Sequence, residues 1–372
     1  MSAIRRSRSA ATRGTRTGGR PRRGLPQSTA LDALAVGIIG YGYWGPNLAR
    51  NFSESPSSTV VALSDARPER LAKAKSRYPA INVYTDFHDL LADRSVEAVV
   101  IATPLRTHFS LALAALKAGK HVLVEKPLAG SSEQAMRLIE TAAKADRTLM
   151  VDHTFLYTGA VRKIKELVGS DYLGRLYYYD AVRVNLGMFQ HDVSVLWDLA
   201  VHDLSIMDYV LDAEPRAVAA TGVAHFPGQP VNTAYLTCFF DNRLIAHLHV
   251  NWLAPVKIRR TLIGGDRQMI VYDDLEPSEK VKVYDKGVTV STTPGEGLED
   301  AHDLLVSYRA GDVLAPQLGV SEALSSVAQH FAECVREGRR PLTDGTAGLR
   351  VIRLLEAAEQ SLANGGTAVE LR

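Results

Sequence analysis

The sequence holds only two cysteines, Cys238 and Cys334, far apart in the chain. A disulfide framework and a Cys-based zinc site are thereby excluded. No apolar run approaches the roughly 18 residues that a membrane-spanning helix needs. Acidic residues are missing before Leu31, where eight arginines stand: Arg5, Arg6, Arg8, Arg13, Arg16, Arg20, Arg22 and Arg23. Setting those eight aside leaves 35 basic residues against 41 acidic ones, so the body is net negative and is no nucleic-acid surface. What is present, 46% hydrophobic and 23% charged residues in 372, suits a globular protein of two domains. A cytoplasmic enzyme or ligand-binding protein is the expectation.

Residues 1–30 are rich in Arg, Ser, Thr, Gly and Pro and have little to bury, which reads as a disordered tail. Arg5-Arg6 is followed by neither the apolar stretch nor the cleavage site of an export signal. The tail reads as a solvated appendage or an overlong start, in preference to a contact with nucleic acid or membrane. Over 31–154 short apolar runs alternate with amphipathic ones. Leu34–Ile39, Thr59–Leu63, Ala98–Ile101, His121–Val124 and Leu149–Val151 read as strands. Trp44–Phe52, Pro68–Tyr78, His108–Ala118 and Glu133–Ala145 read as helices between them. Such alternation indicates an α/β domain, a parallel sheet covered on both faces.

From 155 to 345 the pattern becomes α+β. Helices are expected over Ala160–Val168, Val193–Leu211 and Glu322–Glu337. Strands are expected over Leu176–Val184, Val218–His225, Ala234–Phe240, Leu244–Asn251, Lys257–Ile263, Gln268–Tyr272 and Lys280–Tyr284. Short turns between them imply an antiparallel meander, an open-faced sheet with helices on one side. A last helix, Gly348–Ala363 within 346–372, is expected to pack back on the body.

Gly40-Tyr41-Gly42-Tyr43-Trp44-Gly45 is a GxGxxG motif between the first strand and the first helix. Glycines there permit a tight turn and close approach of backbone to a pyrophosphate, and the helix N-terminus offers amide donors. The second strand ends in Ser64-Asp65, where a carboxylate can accept both ribose hydroxyls of an adenosine. Asp65 would repel a 2′-phosphate, which favours NAD over NADP, although Arg67 could offset part of that repulsion. Ala102-Thr103-Pro104 stands at the carboxyl end of the fourth strand, where open α/β sheets bind ligands, and is expected to shape the nicotinamide end. His108 is either a helix-start residue or a lining of that site. Glu125-Lys126-Pro127 follows the next strand, and a lysine at the crevice mouth can exchange protons.

Asp198 and His202, four residues apart, fall on one helical face with Ser205 on an otherwise apolar helix. Buried polar groups so placed call for a hydroxylated ligand, or for each other. Arg183 and Asn185 end a strand and could reach sugar oxygens or a phosphate. His153 follows the sheet's last strand and is a further candidate. His247 and His249 share a strand face without a third ligand at recognisable spacing, so a sheet-surface role is expected there and no metal.

These elements in this order resemble the Gfo/Idh/MocA oxidoreductase family, the relatives of glucose–fructose oxidoreductase and inositol dehydrogenase. The resemblance runs from Leu34 to the C-terminus. It implies a Rossmann domain, an open-faced sheet domain, NAD(P), a sugar or polyol substrate, and a homodimer or homotetramer formed through the sheet face. It also implies that Lys126 contacts the reacting hydroxyl or carbonyl, that Lys126–Pro127 is a cis bond, and that Asp198 and His202 are the substrate-side polar pair. Val182-Arg183-Val184-Asn185-Leu186-Gly187 leading to Trp197–Asp203 is more similar to the family's nucleotide-sugar branch, which implies chemistry at C3 of a linked hexose. In oxidation, His202 or Lys126 would take the hydroxyl proton, with Asp198 orienting His202. The alternatives are a 3-keto-sugar reductase, a free polyol or sugar dehydrogenase, and a non-catalytic NAD-linked sensor.

Overall fold

The computed structural model describes residues 33–187, 190, 192–291 and 305–371. The Arg-rich tail expected over 1–30 lies outside the described residues. The first half alternates β1 (Leu34–Ile39), α1 (Gly45–Glu54), β2 (Ser58–Ser64), α2 (Pro68–Arg77), β3 (Asn82–Tyr84), α3 (Phe87–Ala92), β4 (Ala98–Ile101), α4 (Leu105–Lys117), β5 (His121–Glu125), α5 (Ser132–Ala145) and β6 (Leu149–Asp152). All six strands pair in parallel, in the order β3-β2-β1-β4-β5-β6. β4, at the centre, is buried along its whole length, as a strand covered on both faces must be. The order reverses between β1 and β4, and that switch point opens a crevice beyond the carboxyl ends of the strands.

The second half runs through α6 (Gly159–Gly169), β7 (Leu176–Leu186), α7 (Val201–Val210), β8 (Ala217–Val223), β9 (Thr233–Phe239), β10 (Ile245–Asn251), β11 (Leu253–Gly265), β12 (Met269–Asp273), β13 (Val281–Ser291) and β14 (Leu305–Leu314). Two helices, α8 (Ala323–Glu337) and α9 (Gly345–Ala363), and the short β15 (Val369–Glu370) close the chain. The nine strands form one sheet, β14-β13-β12-β11-β7-β10-β9-β8-β15. It is mostly antiparallel but not a plain meander: β7 lies between β10 and β11 and pairs with β10 in parallel. α9 packs on β8, and α7 on β7. α8 and α9 also reach back to the first half, α8 against α1 and α9 against α5.

The expected single helix over Val193–Leu211 is two pieces. A π turn, Leu196–Ala200, runs into α7. Both cysteines are buried and unpaired. Among the described residues no helix is long and apolar enough to cross a membrane, and no group of three or more His, Cys, Asp or Glu could hold a metal ion. His247 and His249 lie on β10, where each ring stacks with Tyr235 of β9.

Candidate active site

A cavity of about 1110 Å³ opens at the switch point and extends to the second sheet. Its first wall is the glycine turn. Gly40 has φ +97°, and a Cβ there would stand 2.5 Å from the Ala102 carbonyl oxygen. Only glycine accommodates both the dihedral and the contact. Gly42, Tyr43 and Trp44 continue that wall. α1 begins with no side-chain cap and no acidic residue in its first turn, which leaves the positive end of its dipole for an anion. These features fit a dinucleotide.

Asp65 follows β2 and lines the same cavity. Its carboxylate accepts from the Tyr41 amide at 2.7 Å, the Arg67 amide at 2.9 Å and Arg70 Nη1 at 3.3 Å. The acid is held rigidly on the cavity wall with two cationic side chains, Arg67 and Arg70, beside it. Ala102, Thr103, Pro104 and Glu125 line the stretch between the glycine turn and the second half.

At the far wall Lys126 Nζ donates to the Asp198 carbonyl at 2.8 Å and lies 3.4 Å from Asp198 Oδ1. Lys126–Pro127 is cis. Trp252 Nε1 donates to the other Asp198 oxygen at 3.1 Å. The carboxylate is therefore engaged by Lys126 and Trp252, not spent on orienting His202. His202 lines the cavity too, with the edge of its ring against Phe155, centroids 5.1 Å apart. Burial pulls its pKa well below the ordinary value, and the cations Lys126, Arg183 and Arg259 push the same way. His202 is a neutral imidazole. Asn185 completes this end.

Three expected site residues serve elsewhere. A Cβ on Gly45 would stand 2.4 Å from the Gly40 carbonyl oxygen, so Gly45 lets the helix close on the turn instead of lining the cavity. His108 is buried in α4, with Nδ1 2.7 Å from the Pro127 carbonyl oxygen and Nε2 2.8 Å from that of Thr103. It ties the two cavity segments together from behind. Arg183 forms a buried two-point ion pair with Asp203, at 2.7 and 2.9 Å. An arginine so paired and covered by Phe155 does not reach a ligand. The pattern hid this because Arg183 sits on an inward-facing position of β7, and only its distant partner explains a charge there.

Four other residues of this region carried no role in the sequence pattern. Trp252 and Arg259 line the cavity from the second sheet. Asp152 is the register partner of Glu125 across β5 and β6, and Phe155 packs under both Arg183 and Arg259. Asp152 ends β6, which adjoins β5 at the edge of the sheet away from the switch point, so its pairing with Glu125 is a matter of strand order. For Trp252 and Arg259 the signal depended on which strands adjoin.

A doubly wound parallel sheet with a glycine turn, and a lysine and a histidine facing the same crevice, define a dinucleotide-dependent oxidoreductase. The chain belongs to the Gfo/Idh/MocA oxidoreductases. The profile described as "Oxidoreductase family, NAD-binding Rossmann fold" matches residues 34–153, and "Oxidoreductase family, C-terminal alpha/beta domain" matches 165–371. It is an NAD-binding oxidoreductase. The chain is 25% identical over 347 residues to myo-inositol 2-dehydrogenase of Thermotoga maritima, covering 88% of this chain and 96% of that one. It is 28% identical over 323 residues to UDP-N-acetylglucosamine 3-dehydrogenase of Acidithiobacillus ferrooxidans, covering 86% and 94%. The solved structure of the latter superposes with a TM-score of 0.73 at 26% identity, covering 89% of this chain and 98% of that one.

Proposed function

We propose that this chain is an NAD-dependent dehydrogenase moving hydride reversibly to and from a secondary carbinol carbon of a sugar, C3 of a nucleotide-linked hexose. The observation that carries this reading is the meeting of Lys126, Asp198 and His202 on one cavity with the glycine turn. Gly40, Gly42, Tyr43 and Trp44 would hold the pyrophosphate, Asp65 the adenosine ribose, and Ala102, Thr103, Pro104 and Glu125 the nicotinamide end. When bound, NAD supplies the hydride acceptor. The Lys126 ammonium, fixed by Asp198, stabilises the oxygen of the reacting carbon as it gains negative character. Neutral His202 takes the hydroxyl proton in oxidation and returns it in reduction. Asp198 positions Lys126, and Asn185 meets the sugar's other hydroxyls.

The substrate class is argued from the relatives. Myo-inositol 2-dehydrogenase and UDP-N-acetylglucosamine 3-dehydrogenase both name a secondary alcohol on a six-membered ring as the site of reaction. Asp65 supports NAD over NADP, against Arg67 and Arg70 beside it. We infer further that the chain works in the cytoplasm as a homodimer or homotetramer joined through the open sheet face, a state that light scattering reads directly.

The test offers UDP-hexoses, free hexoses and inositols with each cofactor, following nicotinamide absorbance and identifying products by NMR. Turnover of UDP-hexose above free sugar is expected. Preference for a free inositol moves the reading to a polyol dehydrogenase, and no absorbance change with any of them leaves an NAD-linked sensor. Lys126→Ala and His202→Ala should each lower turnover about 10²–10⁴-fold with NAD still bound. Near-normal turnover in both sinks the mechanism.

A further inference from the structure

Glu125 and Asp152 end neighbouring parallel strands as register partners. Such partners stand about 4.8 Å apart and project to the same face of the sheet. Both are buried, 8% and 2% exposed. Thr154 Oγ1 donates to one Asp152 oxygen at 2.7 Å, and the Lys126 amide donates to Glu125 at 3.3 Å. Lys126 is the ammonium beside them, and it is already paired with Asp198. Two carboxylates crowded in this way do not both ionise.

Asp152 Oδ2, both ring nitrogens of His153, the next residue, and His202 Nδ1 are buried polar atoms with no hydrogen-bond partner. Lys126 acts electrostatically on all three residues, and His153 acts on His202. Buried atoms of this kind are satisfied by ordered water or ligand hydroxyls, the species along which protons move.

We propose that Glu125 and Asp152 hold one proton between them, and that this pair is the acceptor to which the carbinol proton passes from His202 by way of His153. The relay rests on the dehydrogenase reading above; the shared proton does not. In oxidation the C–H electron pair leaves as hydride to NAD⁺, and the O–H electron pair becomes the second carbonyl bond. The proton goes to His202 and then to the unpartnered Asp152 oxygen, leaving two neutral carboxyls. The pair loses its negative charge as the cofactor loses its positive one, so the net charge enclosed in the cavity does not change.

The titration directions agree. Burial, then the charge of Asp152, raises Glu125 well above the usual carboxylate range. Burial raises Asp152 to about 6 against the opposing pull of Thr154 and Lys126, with the Tyr157 hydroxyl nearby. Burial brings His153 down to about 3, Lys126 adding to the effect. His202, faced by Lys126, Arg183, Arg259 and His153, is likewise lowered. Neutral imidazoles of low proton affinity pass a proton on; the carboxylate keeps it.

The test is infrared spectroscopy of the full chain without cofactor, joined to pH profiles of turnover. A protonated-carboxyl stretch should persist at neutral pH, vanish in Glu125→Gln, and titrate at lower pH in Asp152→Asn. The second variant answers the question if the first does not fold. Asp152→Asn and His153→Gln should each lower turnover about tenfold or more and displace its pH profile, with hydride transfer to bound NAD retained. A missing carboxyl stretch at neutral pH, or one that Glu125→Gln leaves intact, overturns the shared proton. Unmoved pH profiles in both variants overturn the relay. A stretch that behaves as expected in a protein that turns over no sugar overturns the dehydrogenase reading and the relay with it, and leaves the shared proton standing.

Discussion

Arg183 shows how little a residue's type says about its task until its neighbours are known. Its guanidinium and the Asp203 carboxylate are both about 5% exposed at the side chain. The two charges are tolerable only together, because each alone would be a buried charge without compensation. Arg183→Met should therefore destabilise the protein by about 3–5 kcal/mol, read as a lowered chemical-denaturation midpoint. Arg183→Met with Asp203→Leu should recover most of that loss; a double variant no better than the single one would mean that the pair is not what Arg183 is for. His153 carries a charge argument of another sort. An unfolded imidazole binds its proton near pH 6.5, whereas the buried ring resists until about 3. Between those values the unfolded state holds more protons, so stability falls as pH drops from about 6.5 toward 3. His153→Phe should make that acid limb shallower. Asp152 has the opposite sign, its contribution being lost as pH rises from about 4 through about 6.

At the level of elements, the glycine turn ties local backbone to function most directly. Gly40→Ala forces a methyl against the Ala102 carbonyl at a φ that side chains rarely adopt. Displacement of the turn should lower NAD affinity at least about tenfold, and the dihedral should cost about 1–2 kcal/mol of stability, while the far-ultraviolet circular dichroism stays that of the parent. Five strands and four helices of the first half were legible because each strand is a continuous apolar run and each helix a run of helical spacing between them. β3 and α3 were not, since three and six residues carry too little periodicity to separate from a loop. The π turn at Leu196–Ala200 was invisible for a different reason. Its apolar spacing continues into α7 as one helical pattern, whereas the wider winding falls where the Asp198 carbonyl accepts from Lys126, a contact distant in sequence. The cavity-lining residues that are local in sequence, from Gly40 to Trp44 and Glu125-Lys126, belong to motifs that a linear pattern displays. Those that depend on which strands adjoin, Trp252, Arg259 and the Glu125–Asp152 pairing, do not. Insertion of β7 between β10 and β11 is a long-range choice that no local pattern records.

Across the whole molecule, the closing helices bind the halves together. Arg336 of α8 makes two contacts with Glu97 ahead of β4, at 2.6 and 2.7 Å, and Glu322 at the start of α8 pairs with Arg50 of α1. Thr343 accepts from the Val151 amide through its carbonyl and donates to the Val151 carbonyl through its hydroxyl, extending the edge at β6. α9 then crosses from α5 to α7 and β8. The nucleotide half thus completes its own packing with residues from the far end of the chain, and Lys126 with Asp198 adds a polar link at the cavity. A polypeptide of this length often unfolds in separable steps, but halves that share their covering helices lose them together. Calorimetry should show a single main transition, and NAD at a hundred times its dissociation constant should raise the stability of the whole by about 2.7 kcal/mol. Two transitions, of which NAD moves only one, would mean that α8 and α9 do not couple the halves. A chain cut before α9 should then still bind NAD, whereas the packing described here requires that it lose binding along with its fold.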